Sequence, residues 1–218
     1  MEKTQHIAIL AAGEFPTHPV PLQALREAGF VVCCDSAYLE MERSGLAAGR
    51  FIVVGDGDSL SDTDKRRLGD RWLPVAEQDF NDLHKAVAWA MQHFPQPATR
   101  LSILGATGRR EDHTLGNISY LATFAEEYPG ADIEMLTNHG RFVHLHGERT
   151  FSSFPGQQVS IVTLTPRLPL YGSGLRWPLA GFLARRWWQA TLNEALGHSF
   201  TLRTDGDALV FQTYEPKT

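Results

Sequence analysis

Ile52-Val53-Val54-Gly55-Asp56-Gly57-Asp58-Ser59 is a β-branched run that stops at a glycine and then carries two carboxylates in quick succession. Such a run reads as a buried strand, with Asp56 and Asp58 on the loop at its C-terminal end. In open α/β sheets that end is where ligands bind. Two hard oxygen donors with no cysteine or histidine beside them suit Mg²⁺, which takes one or two carboxylates together with substrate phosphates.

Upstream, His6–Gly13 reads as a first strand ending in a glycine turn, and Pro21 can open a helix over 22–28 as its first residue. Phe30–Cys34 is a second strand, again ending on a carboxylate, Asp35, and residues 36–44 have helical spacing. Strand, helix, strand, helix, strand predicts a parallel sheet with crossover helices. Asp35 and Asp56 then end neighbouring or near-neighbouring strands on one edge.

Downstream, the mixed charges of 61–71 read as a solvated helix. Asp79 or Asn81 can cap a helix in which Leu83, Val87, Ala90 and Met91 recur at helical intervals. That puts Asp82 at a helix N-terminus, and Lys85 follows on the same face. Arg100–Leu104 is another strand, followed by a loop with Gly105, Gly108, Arg109 and Arg110, then Asp112-His113 at a helix start. Guanidinium forks match phosphate oxygens bidentately. His113 has two readings, a phosphate donor or a helix-start residue bonded to backbone.

Ala131–Leu136 reads as the last strand of this unit, and after about Asn138 the texture changes to short alternating runs separated by Gly, Pro and Asp turns. Asp205-Gly206, between two such runs, predicts a hairpin. The expectation is an α/β domain over 1–138 followed by a smaller β domain over 139–218. His144 and His146 share a strand face, but no cysteine or carboxylate completes a ligand set nearby, so they read as exposed strand histidines. Trp187-Trp188 reads as a core or interface anchor.

With 218 residues, 43% hydrophobic and 21% charged, the chain is long enough for a substantial core. A formal net charge of −5 with no Lys/Arg block argues against a nucleic-acid partner. No run approaches the roughly 20 apolar residues of a membrane span, nor does the N-terminus offer a signal segment. Cys33 and Cys34 are neighbours in an apolar run and read as buried thiols in a reducing compartment. The expectation is a cytoplasmic protein. No P-loop, dinucleotide fingerprint or nucleophile elbow is present. The run from Asp56 fails as an EF-hand, with Ser61 where glycine belongs and Arg67 where the bidentate glutamate belongs.

Gly55–Ser59 (Gly-Asp-x-Asp-Ser), Gln78–Ala86 (Gln-Asp-x-x-Asp-Leu-x-Lys-Ala) and Gly108–Asn117 (Gly-Arg-x-Asp-His-Thr-Leu-x-Asn, with Arg109 in the glycine's place) together resemble the thiamine pyrophosphokinase family. Gly174–Leu179 is similar to a family segment, and Thr191-Leu192-Asn193 stands where the family has Thr-Ser-Asn. The resemblance implies a nucleotide-binding α/β domain with a parallel sheet, followed by a β-sandwich-like domain for thiamine binding and dimerisation. It further implies a homodimer that transfers a pyrophosphoryl group from ATP to thiamine with Mg²⁺. On that model Asp56, Asp58, Asp82 and Asp112 hold Mg²⁺ or orient the acceptor hydroxyl, with Asp56, Asp58 and Asp82 as the metal set. Asp35, Gln78, Lys85, Arg110 and His113 contact the nucleotide side, while Asn81, Trp177 and Asn193 serve the acceptor. The chain departs from the family pattern at Arg109, where a glycine is usual, and at Asn81 for threonine, Leu192 for serine and Gly57 for phenylalanine. A hydrolase built on the same carboxylates, or a non-catalytic nucleotide or thiamine sensor, are the alternatives.

Overall fold

The computed structural model describes residues 5–46, 50–77, 79–94 and 99–216. The chain divides into two compact units, Met1–Asn138 and His139–Thr218.

The first unit holds strands β1 (Gln5–Leu10), β2 (Phe30–Cys34), β3 (Phe51–Gly55), β4 (Trp72–Pro74), β5 (Thr99–Leu104) and β6 (Asp132–Leu136). Its helices are α1 (Pro19–Glu27), α2 (Ala37–Arg43), α3 (Asp62–Leu68), α4 (Asp82–His93) and α5 (Glu111–Glu127). All pairings are parallel, in the order β6-β5-β1-β2-β3-β4. The chain builds outward from β1 to β4, then returns to β1's other side for β5. The direction of winding therefore reverses between β1 and β5, and the C-terminal ends of those strands form a crevice of the kind that takes ligands.

Strand alternation places Ala8, Leu10, Val31, Cys33, Phe51 and Val53 on one face, where they share a core with Leu25 of α1 and Tyr38 and Met41 of α2. Phe30 and Cys34 point to the other face. There Phe30 stacks on Trp89 of α4 at 5.8 Å, and the Cys34 thiol donates to the Asp82 carbonyl at 3.5 Å. Covered on both faces, the strands read as near-continuous apolar runs. Helix α1 begins at Pro19 rather than Pro21, because the His18 ring nitrogen accepts the Val20 N–H at 3.2 Å and caps it there. Cys33 and Cys34 are buried free thiols, and burial pushes both well up from the ordinary thiol range.

The second unit is antiparallel, with β7 (Gly140–Ser152), β8 (Gln157–Thr163), β9 (Leu168–Ser173), β10 (Leu179–Ala184), β11 (Ala190–Glu194) and β12 (Ser199–Pro216). The hairpin expected at Asp205-Gly206 is absent: β12 runs straight through, paired with β7 on both sides of an irregularity between Thr204 and Ala208. A bulge takes up the turn-forming residues. Its first half also pairs with β9 and its second half with β8, so one long strand joins two sets of neighbours around a core that includes Phe151, Ile161, Leu170, Phe200 and Val210.

The bulge carries Asp207 back to β7, where one carboxylate oxygen accepts from His144 Nε2 at 2.9 Å and His146 Nδ1 at 3.2 Å. The two histidines therefore have a carboxylate partner that sequence proximity does not reveal. Burial alone would raise Asp207, but the hydrogen bonds from His144 and His146 outweigh it and hold the carboxyl below its usual range. Trp187 and Trp188 are exposed, not core. No helix among the described residues is long and apolar enough to cross a membrane.

Candidate active site

Pairing of β2 with β3 sets Cys34 level with Val54, so both strands end together and release Asp35 and Asp56 side by side. Asp35 is buried and has φ +42°, a left-handed conformation uncommon for a residue with a β-carbon. Its main-chain N–H donates to the Val54 carbonyl at 2.9 Å, and its Oδ2 accepts the Ser59 N–H at 3.0 Å. Oδ1 is buried and has no hydrogen-bond partner among the described residues. Asp56 Oδ1 accepts the Asp58 N–H at 3.0 Å, which turns the loop tightly. The turn has φ +82° at Gly57, and a β-carbon there would meet Lys65 Cε at 2.8 Å and Trp72 Cζ2 at 2.9 Å. That accounts for glycine at a position where the resembled motif has phenylalanine.

Asp82 comes to the same place as the first residue of α4. Asn81 caps that helix by accepting the His84 N–H at 3.0 Å. The other end of the Asn81 amide donates to Asn117 Oδ1 at 3.0 Å, and Asn117 donates to the Ala106 carbonyl at 2.8 Å. This relay ties the start of α4 to α5 and to the loop after β5.

Carboxylate oxygens of Asp35, Asp56 and Asp82 lie within 4.8 Å of one another, the only such His/Cys/Asp/Glu group among the described residues. Burial raises Asp35, reinforced by the Asp56 charge and opposed by the Ser59 hydrogen bonds and Lys65. Burial also raises Asp82, with the Asp35 and Asp56 charges adding to it and Lys85, 3.5 Å away, opposing. Three clustered carboxylates disfavour one another's ionisation unless a cation joins them. The hard oxygen donors, the unpartnered Oδ1 and the raised carboxyls all fit Mg²⁺.

A cleft of about 410 Å³ opens beside the cluster, lined by the loops after β1, β2 and β5 and by the first turns of α4 and α5. It holds Asp35, Asn81, Asp82, Arg109, Arg110 and His113. Gly13 is required in its wall, since a β-carbon there would lie 2.3 Å from the Gly105 carbonyl oxygen.

The expected residues do not all converge. Asp58 is exposed and lies outside the three-carboxylate group, while Asp35, expected on the nucleotide side, joins it. Asp112 is exposed and held by Arg110 through bonds of 3.1 and 2.6 Å, which keep its carboxyl low. Gln78 lies outside the described residues. Trp177 and Asn193 belong to the second unit. There Asn193 Oδ1 accepts the Trp177 N–H at 3.2 Å and Asn193 Nδ2 donates to the Trp177 carbonyl at 2.8 Å, leaving the indole exposed. Asn117, although inside a resembled motif, carries no charge that would single it out, and its bridging role needs the fold.

These features define an α/β protein with a carboxylate-lined cleft at the switch point of a parallel sheet. Residues 22–133 match the family model described as thiamin pyrophosphokinase, catalytic domain, and residues 140–211 match thiamin pyrophosphokinase, substrate-binding domain. The chain belongs to the thiamin pyrophosphokinase family. It is 39% identical over 74 residues to the thiamine pyrophosphokinase of Bacillus subtilis (strain 168), covering 32% of this chain and 33% of that protein. Against thiamine pyrophosphokinase 1 of Oryza sativa subsp. japonica it is 26% identical over 141 residues, covering 59% and 52%. The chain thus spans about a third and about half the length of these curated relatives. The fold is similar to that of yeast thiamin pyrophosphokinase, with a TM-score of 0.81 at 16% identity over 98% of this chain and 87% of that one.

Proposed function

We propose that this chain catalyses pyrophosphoryl transfer from ATP to thiamine, giving thiamine diphosphate and AMP. The observation that carries the reading is the meeting of Asp35, Asp56 and Asp82 beside a cleft at the sheet's switch point, in a chain of this family. In the reaction the thiamine hydroxyl oxygen bonds to the β-phosphorus of ATP, the bond from that phosphorus to the α-phosphate oxygen breaks, and the hydroxyl proton is released. Such transfer depends on positioning and charge neutralisation more than on covalent help.

Asp35, Asp56 and Asp82 would hold Mg²⁺, which when bound neutralises phosphate charge. Lys85 keeps Asp82 oriented. Arg110, Gln78 and His113 bind the nucleotide, with the N-terminus of α5 favouring an anion beside it. Asp58 and Asp112 serve the acceptor hydroxyl. Asn81 acts through its cap on α4. Trp177 offers an exposed aromatic face suited to the thiazolium cation, and Asn193 sets that face by grasping the Trp177 backbone.

The proposal extends to a homodimer with thiamine bound between subunits, for which exposed Trp187 and Trp188 are suitable anchors. The second unit reads as sandwich-like, because β12 joins two sets of partners around one core. Buried, unpaired Cys33 and Cys34 suit the cytoplasm. Neither nucleic acid nor membrane is a proposed partner, and the hydrolase and sensor alternatives gain no support from the family match. The test is ³¹P NMR of the protein with ATP and Mg²⁺, with and without thiamine. AMP and thiamine diphosphate appearing only with thiamine is the expected result; ADP or phosphate formed without it would overturn the proposal.

A further inference from the structure

Arg109 lies between two cavities. It lines the 410 Å³ cleft and a neighbouring cavity of about 210 Å³, and the two share Ala11–Gly13 and Ser36. Its Nη1 donates to the Ala12 carbonyl at 3.0 Å, which holds the planar head while leaving further N–H groups to offer. The nearby cations are differently committed. Arg110 is bound twice by Asp112, and Lys85 is paired with Asp82. Arg109's hydrogen-bond partner is a neutral carbonyl, and among the described residues no carboxylate forms an ion pair with it. Its charge is therefore the one on the cleft wall left uncompensated by direct contact, in a cleft that also carries Asp35 and Asp82.

We infer that Arg109 binds the polyphosphate of the nucleotide, anchored on the loop after β1 so that its guanidinium meets phosphate oxygens already oriented. This rests on reading the cleft as the ATP site. The role is particular to this chain, because the resembled motif has glycine at this position. A guanidinium can engage two phosphate oxygens at once, which an ammonium cannot. The Ala12 bond also lowers the entropy that a long exposed side chain loses on binding.

The experiment titrates ATP with Mg²⁺, without thiamine, into full-length wild type, Arg109→Gln and Arg109→Lys at low and high salt, and then measures KM for each substrate. Glutamine removes the charge, whereas lysine keeps a charge without the planar fork, so the contributions of charge and of fork geometry are separated. The expected result for Arg109→Gln is ATP affinity weaker by about tenfold, comparable to loss of one charged hydrogen bond. Its KM for ATP rises, its KM for thiamine is unchanged, and its salt dependence is shallower. Arg109→Lys recovers part of the loss. Wild type that binds ATP while Arg109→Gln binds it equally well, with the same salt dependence, overturns this inference alone. Wild type that binds no ATP overturns the ATP-site reading and this inference with it.

Discussion

Gly55 lies directly against Asp35: a β-carbon at Gly55 would sit 3.1 Å from the Asp35 β-carbon. The glycine that ends β3 is what lets the Asp35 carboxylate lean toward Asp56 and Asp82. Gly55→Ala should displace Asp35 by a few tenths of an ångström while leaving the sheet intact. Shifts of that size at a reacting centre lower turnover, here by about tenfold. Steady-state rates beside thermal melts check it, and an unchanged rate would show that Asp35's position is not critical.

Asp35→Asn should stabilise the metal-free fold while removing activity. Asparagine tolerates the left-handed backbone and can still accept the Ser59 N–H. The sign follows from the raised carboxyl. Because the folded-state value lies above the ordinary 3.8, folding favours the protonated form. Stability is therefore lost as pH rises from that ordinary value through the raised one, and Asp35→Asn lacks this loss. Melting curves across acidic to neutral pH without metal should diverge, with the variant melting higher at neutral pH.

Mg²⁺ should raise the melting temperature of wild type. A ligand at a hundred times its dissociation constant stabilises the bound state by about 2.7 kcal/mol. Asp56→Asn should lose most of that shift, whereas Asp58→Asn should keep it, because Asp58 lies outside the cluster. Equal loss in both would move the metal site toward the loop tip.

In the second unit, Asp207→Asn should destabilise the fold by about 1 kcal/mol through weakened hydrogen bonds to His144 and His146. Asp207 is held below its ordinary 3.8, so its contribution is present above that pH and is lost as pH falls through the lowered value. Urea titrations at pH 7 and in mild acid should show the difference between wild type and variant shrinking as the acid deepens. A constant difference would mean that the carboxylate charge plays no part.

Much of the first unit is legible locally. The runs Phe30–Cys34 and Phe51–Gly55 are β-branched or apolar throughout, and Asn81 precedes a helical repeat as a good cap, so strand and helix follow from short-range sterics. Asp205-Gly206 misleads because a bulge and a hairpin turn favour the same residues, and only the pairing of β12 with β7 on both sides decides between them. His144 and His146 misread for a related reason: their carboxylate lies 63 residues from His144 in sequence.

By itself, then, the sequence determined the alternation of strands and helices, the change to β texture after Asn138, the carboxylates at strand and helix ends, and membership of a family through three spaced motifs. Periodicity and capping are properties of neighbouring residues, so they survive without knowledge of the rest of the chain. Tertiary structure alone decided that Asp35, not Asp58, joins Asp56 and Asp82, and that the cleft opens between β1 and β5. Both depend on which strands lie side by side and in what register, and those contacts form between residues far apart in the chain.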